Sequence, residues 1–181
     1  WRRYRSITPI WDDRFELPPT RLLLVHARSA FRNEGIVVEN NMPFLSGDLA
    51  FAFNGELHGV RLKAPGETGA ARLFHLLERF TRAADGDTLG ALSRLDALIN
   101  TRSEYVRALN IVVSDGRSLF INTRFSEDPG YFGLHTASVD IEPRTRLVCS
   151  ERISIPDTEP AWTSMPNRST RTLEAESTCC S

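Results

Sequence analysis

The side chains that could do chemistry fall in a few short runs. His26-Ala27-Arg28 leaves an apolar stretch and puts the Arg28 guanidinium where it could clasp a carboxylate through two parallel hydrogen bonds. Asn54-Gly55 separates two apolar runs, the pattern of a two-residue hairpin whose central positions both need positive φ. Taken singly, these predict no more than an exposed arginine at a strand end and a tight turn. His26, His58, His75 and His135 show no metal-ligand spacing with one another or with cysteine, so no metal and no other cofactor is expected. His75 falls inside a helical apolar pattern and reads as a histidine at the core's edge. Cys149, in Leu147-Val148-Cys149-Ser150, reads as a small hydrophobe in a buried strand, and Cys179-Cys180 lies in a polar stretch with nothing to lower a thiol pKa. The sequence contains neither a phosphate-cradling glycine loop nor a dinucleotide fingerprint.

The elements that must position these groups are partly legible. Residues 1–20 mix arginines, aromatics and prolines without a period and predict an irregular lead-in with no chemistry of its own. Residues 21–30, built on Leu22-Leu23-Leu24-Val25, predict a buried strand; 36–38 a short strand; 40–43 a turn; 49–53 a strand ending at Asn54-Gly55; and 59–62 a return to β pattern. Thr68 closes a loop as an N-cap, after which Leu73, Phe74, Leu76, Leu77 and Phe80 recur at helical spacing and predict a helix over 70–83. Leu89, Leu92, Leu95, Leu98 and Ile99 mark a second helix over 88–99. Strands are expected at 108–113, 118–123, 131–136 and 147–150, with a turn at Ser114-Asp115-Gly116. Strands, a helical pair and more strands predict an α+β domain with a largely antiparallel sheet over residues 1–173, followed by a disordered polar tail over 174–181.

Composition narrows the classes further. A length of 181 residues suits one domain, and 41% hydrophobic with 25% charged residues is a globular balance that excludes wholesale disorder. The apolar runs fall far short of a membrane helix, and a formal net charge of -1 lacks the general attraction to phosphate backbones, so neither a membrane nor a nucleic-acid partner is expected. Three cysteines cannot build a disulfide framework and no apolar signal segment opens the chain, which predicts a reducing, cytoplasmic setting.

The order and spacing of the weak motifs say more than each alone. Leu24-Val25-His26-Ala27-Arg28, then Glu39-Asn40-Asn41-Met42-Pro43-Phe44, then Phe51-Ala52-Phe53-Asn54-Gly55-Glu56-Leu57, then Gly66-Glu67-Thr68-Gly69-Ala70-Ala71-Arg72-Leu73-Phe74 resembles the class II glutamine amidotransferases over residues 21–173. In that family a His-x-Arg strand, an Asn-x-His-Pro-Phe turn, a His-Asn-Gly-Glu-Leu strand end and a Thr-Asp-Ser-Glu helix start follow in this order. The resemblance implies an N-terminal-nucleophile hydrolase fold, a four-layer αββα sandwich whose first residue is a catalytic cysteine. That thiol attacks the side-chain amide of glutamine and the free α-amino group serves as its base. The family supplies oxyanion donors from the positions matching Asn54 and Gly55, and Arg28 matches the arginine that holds the substrate α-carboxylate.

The departures are as informative. No cysteine stands near Trp1, and the strands expected before residue 21 are largely missing, which predicts a domain incomplete at its N-terminus and inactive as this chain alone. Met42 and Phe53 stand where the family has histidine, and Gly69 stands where it has the aspartate that pairs with the substrate ammonium; Glu67, two residues earlier, is the candidate replacement. The expected function is therefore a glutaminase-type enzyme acting on glutamine or a related amide and passing ammonia to an acceptor on a partner synthase domain or subunit. A non-catalytic binding or regulatory module of the same fold, and an amidohydrolase acting on another amide, are the alternatives.

Overall fold

The computed structural model describes residues 1–28, 34–140 and 144–175. Its strands, in chain order, are β1 (Phe44–Ser46), β2 (Leu49–His58), β3 (Tyr105–Ser114), β4 (Ser118–Thr123), β5 (His135–Val139), β6 (Thr145–Cys149), β7 (Thr163–Ser164) and β8 (Ser169–Glu174). The helices are α1 (Gly69–Ala83), α2 (Thr88–Arg102) and the single turn α3 (Pro129–Phe132). Five strands form a large sheet in the order β1-β2-β3-β4-β8 and three a small one in the order β6-β5-β7, with every pairing antiparallel.

Both long helices form where apolar periodicity and capping agree. The Thr68 hydroxyl accepts from the Ala71 N–H at 3.1 Å, and the Asp87 carboxylate accepts from the Gly90 N–H at 2.8 Å, satisfying donors that a helix leaves open at its start. The buried stripes are Leu73, Phe74, Leu76 and Leu77 on α1 and Ala91, Leu92, Leu95 and Ile99 on α2. They meet Phe51, Leu109, Ile111, Val113 and Phe120 on one face of the large sheet. Burying each large apolar side chain of this kind stabilises the fold by about 1.5–3 kcal/mol. Because side chains alternate along a strand, the intervening residues Val112, Leu119 and Ile121 face the other way and pack with Leu134, Val148 and Met165 beside the small sheet. The described residues thus stack a helical layer, the large sheet and the small sheet. Of the expected αββα sandwich, the second helical layer has no counterpart among them.

Several expectations need correction. Residues 22–28 belong to no strand, and 29–30 lie outside the described residues. The expected strand at 36–38 gives way to a 3-10 turn at Val38–Asn40, and 59–62 joins no sheet, tied instead by the Arg61 N–H to the Arg102 carbonyl at 2.8 Å. Residues 131–136 divide between α3 and β5, because Pro129 and the left-handed Asp128 before it start a helical turn there. The polar stretch from 174 was expected to be frayed; β8 runs through Glu174, and the Ala175 N–H still donates to the Arg117 carbonyl at 2.8 Å. Residues 176–181, with Cys179 and Cys180, lie outside the described residues.

If the large sheet joins both layers into one cooperative unit, Leu77→Ala on the helical side and Ile121→Ala on the other should each lower stability by about 2–5 kcal/mol. Urea unfolding followed by tryptophan fluorescence and by circular dichroism should give a single shared transition for both. Separate transitions would show that the two layers fold independently.

Candidate functional site

The Asn54-Gly55 pair does not turn the chain. β2 continues through it for ten residues, with Asn54 opposite Asn110 and Gly55 opposite Leu109 on β3. The hairpin expected from the dipeptide is therefore wrong: the long ladder overrides a local turn preference. Glycine is nevertheless required, since a Cβ at Gly55 would fall onto the Ala108 carbonyl and within 2.8 Å of the Phe53 ring. Beyond it the register shifts between Glu56 and Leu57: Glu56 faces Ala108 while Leu57 faces Val106, leaving Arg107 as the extra residue of a β-bulge.

That geometry builds a polar patch no local motif announced. Asn54 shares its face with Asn110 by register and with Glu56 by alternation. Asn110 is buried and fully engaged: its amide donates to the Phe132 carbonyl at 2.6 Å, and its oxygen accepts from the Thr123 hydroxyl at 3.0 Å and the Arg124 N–H at 3.2 Å. The bulge aims Arg107 at Glu56, 2.6 Å away, and at Glu127 and Asp128, with its guanidinium 5.4 Å from the Phe132 ring centroid. Arg107's hydrogen bond, with its positive charge, holds the Glu56 carboxyl below the usual carboxylate range. Three carboxylates surround one guanidinium here, so the patch stays net negative.

The other expected site residues are placed less directly. Arg28 is exposed, its Nη2 donating to the Gly35 carbonyl at 2.7 Å, an oxygen that also accepts from the Asn40 amide at 3.1 Å. The link to β2 runs through His26, whose ring meets the Phe53 backbone two residues before Arg28 and one before Asn54. Burial, reinforced by the positive charge of Arg28, pushes the His26 pKa below 6.5. Glu67 is exposed in the loop ahead of α1, and among the described residues no hydrogen bond or ion pair joins it to Arg28, Asn54 or Gly55. Met42 is buried, its sulfur accepting the Phe53 N–H at 3.2 Å, so the two positions matching family histidines are apolar neighbours. Gly69 opens α1, and a Cβ there would meet nothing within 4 Å.

Two further places lie apart from these residues. Cys149 stands opposite His135 on β5, but burial pushes its thiol pKa up and the His135 Nδ1 turns to the Ser164 hydroxyl at 3.3 Å. It has the environment of an inert thiol. A cleft of about 580 Å³ lies between residues 1–24 and the β1 end of the large sheet and is lined by none of Arg28, Asn54, Gly55 or Glu67. Among the described residues no three His, Cys, Asp or Glu side chains are grouped to hold a metal ion, and no helix is long and apolar enough to cross a membrane.

No protein-family model and no curated protein matches the sequence. Solved structures do. The chain is similar to a predicted glutamine amidotransferase from Pseudomonas aeruginosa, with TM-score 0.54 and 19% identity over 76% of this chain and 64% of that one. It is also similar to a glutamine aminotransferase class-II domain protein from Silicibacter pomeroyi, with TM-score 0.60 and 18% identity over 95% of this chain and 81% of that one. The chain thus spans about two thirds of the first structure's length and most of the second's. At these identities the likeness shows a shared fold, a mixed α/β architecture with antiparallel sheets.

The His26 environment has a testable sign. Its folded pKa lies below the unfolded value, so the unfolded chain binds the proton more readily and stability rises with pH in this window. Full stability is present above about pH 6.5 and is lost as pH falls toward the folded pKa. Thermal melts between pH 7.5 and 5 should show this loss, and His26→Gln should flatten it; an unchanged pH slope in the variant would show that His26 is not the buried group responsible.

Proposed function

We propose that the chain is the amide-binding part of a class II glutamine amidotransferase-like domain, of the N-terminal-nucleophile hydrolase type, whose intact form releases ammonia from the glutamine side chain. The observation that supports this most is the setting of Asn54-Gly55. A dipeptide favoured in turns sits mid-ladder, where it serves no turn and where glycine is required by a backbone approach. In this reading the Asn54 amide and the Gly55 N–H donate to the oxyanion formed when a thiolate adds to the amide carbonyl. Arg28 binds the α-carboxylate, a charged partner that displaces the neutral Gly35 carbonyl it now holds. Glu67 opposes the α-ammonium, and a separate synthase domain or subunit holds the ammonia acceptor.

The nucleophile in this reading is a first-residue cysteine, a role Cys149 does not fill on its half-buried strand. The 181-residue chain itself should release no ammonia from glutamine. Turnover abolished by Cys149→Ala would relocate the nucleophile and overturn the assignment. In a form carrying the terminal cysteine, Asn54→Ala should lower kcat by roughly 100- to 1000-fold with the fold intact. A destabilised but fully active variant would remove Asn54 and Gly55 from the site.

A second reading, a non-catalytic binding module, is favoured by the apolar Met42–Phe53 pair and by Gly69. Gly69→Asp separates the two. The open space admits the side chain, and a carboxylate in the first turn of α1 should stabilise the helix by about 0.3–1 kcal/mol. Calorimetric titration with glutamine should show tighter binding by Gly69→Asp and weaker binding by Arg28→Ala. Affinity indifferent to both substitutions would reject the amide site.

A further inference from the structure

The connection between β4 and β5 is bent against its own preference. Asp128 stands at φ 52° and ψ 56°, directly before Pro129. The left-handed region is uncommon for residues other than glycine, and a following proline pushes the residue before it toward extended backbone. Such a conformation persists only where its surroundings over-determine it, and it collects at functional sites. At the entry, the Ser126 N–H and hydroxyl donate to the Arg107 and Val106 carbonyls at 2.9 and 2.8 Å, and the Asn167 side chain takes both backbone groups of Phe125. The Asp128 carbonyl then accepts from the Tyr131 and Phe132 N–H groups, each at 2.9 Å, and the Pro129 carbonyl from Gly133. Glycine is needed there, because a Cβ at Gly133 would lie 2.5 Å from the Pro129 carbonyl oxygen.

This turn lies on the face of the large sheet that carries Asn54. The buried Phe132 offers its carbonyl to the amide of Asn110, the residue opposite Asn54. Arg107 fastens the turn in place: its guanidinium joins Glu56, on the Asn54 face of β2, to Glu127 and Asp128 in the turn while lying over the Phe132 ring. The fastening is incomplete. Arg107 Nε is buried without a hydrogen bond among the described residues, 3.3 Å from Glu127 Oε1. The Glu127 and Asp128 side chains are exposed, so water competes for each ion pair. A strained backbone on one side and a releasable charge contact on the other are what a two-position element needs.

We propose that residues 126–133 form a strap beside Asn54, latched by Arg107, which swings out to admit the amide substrate and recloses to hold it. Opening breaks the Arg107 contacts to Glu127 and Asp128 and lets Asp128 leave the left-handed region. Closing restores them and sets the Phe132 carbonyl back on Asn110. Arg107 is thus a positioning residue, acting on the site through the turn. The strap's task rests on the amide-site reading; its latch does not.

Amide hydrogen exchange on the 181-residue chain tests both parts. The N–H groups of Tyr131, Phe132 and Gly133, bonded only within the turn, should exchange at least about tenfold faster than those of Ile111 and Val113 in β3, as expected for a local opening. Arg107→Met keeps an apolar stem and removes the charge; it should speed exchange at the three turn amides by about tenfold and leave Ile111 and Val113 unchanged. If that variant does not fold, the exposed pair Glu127→Gln, Asp128→Asn removes the same latch from the turn's side and should give the same result. Glutamine at ten times its Kd should slow the three amides by about tenfold if only the closed strap retains it. Turn amides as protected as Ile111, or no acceleration when the latch is removed, would overturn the proposal. Saturable shifts at Asn54 without slowing at residues 131–133 would leave the amide site standing and overturn the strap. No saturable shift at Asn54 would reject the amide site and with it the strap's task, and the latch would then stand or fall on the Arg107→Met exchange rates.

Discussion

The pairing of β2 with β3 is the constraint on which the rest of the structure depends. One face of this ladder carries Phe51, Leu109, Ile111 and Val113 into the helical layer, and the other presents Val112 toward the small sheet. A slip of one residue would exchange the two faces and expose both apolar sets, so the register is held by burial on each side at once. The close approach of Gly55 to the Ala108 carbonyl and the bulge just beyond it belong to this same pairing. Asn54 is therefore set in a backbone whose position the core determines.

Electrostatics divide the molecule. At the bulge end, Glu56, Glu127 and Asp128 share Arg107, and the Tyr105 hydroxyl adds a hydrogen bond to Glu127 at 2.9 Å. These groups are open to solvent, which screens each ion pair, and their main effect is to aim side chains. The interior polar groups matter more to uniqueness: Asn110 and Asn122 are buried between strands with their amides satisfied, and losing either would strand a partner. At the opposite end of β2 the arginines of residues 2, 3 and 21 make the cleft positive. A net charge of -1 conceals this separation.

What the sequence disclosed depended on how local the cause was. Helices α1 and α2 were legible because a 3.6-residue period, with the Thr68 cap for α1, lies within a few residues, whereas the Asp87 cap of α2 emerged only in the structure. β4 matched its expected bounds, Ser118–Thr123, because its alternation and the preceding Ser114-Asp115-Gly116 turn are adjacent. The failures were non-local. Asn54-Gly55 carries a turn signal that only the partner strand, more than fifty residues on, could override. Residues 22–28 have the composition of a strand but no neighbour to pair with among the described residues. The link from Arg107 to Glu56 joins residues 51 apart and needs the bulge to exist, and β8 closes the sheet with a polar sequence that no apolar pattern marks.

The central claim, that the His26–Arg28 segment and the middle of β2 form one amide-binding site, is tested most directly by titrating the isotopically labelled chain with glutamine and following backbone and side-chain amide resonances. Saturable shifts at Arg28, Asn54, Gly55 and Glu67, larger for glutamine than for glutamate, are the expected result. Shifts confined to residues 1–24 along the cleft, or none at saturating ligand, would contradict it.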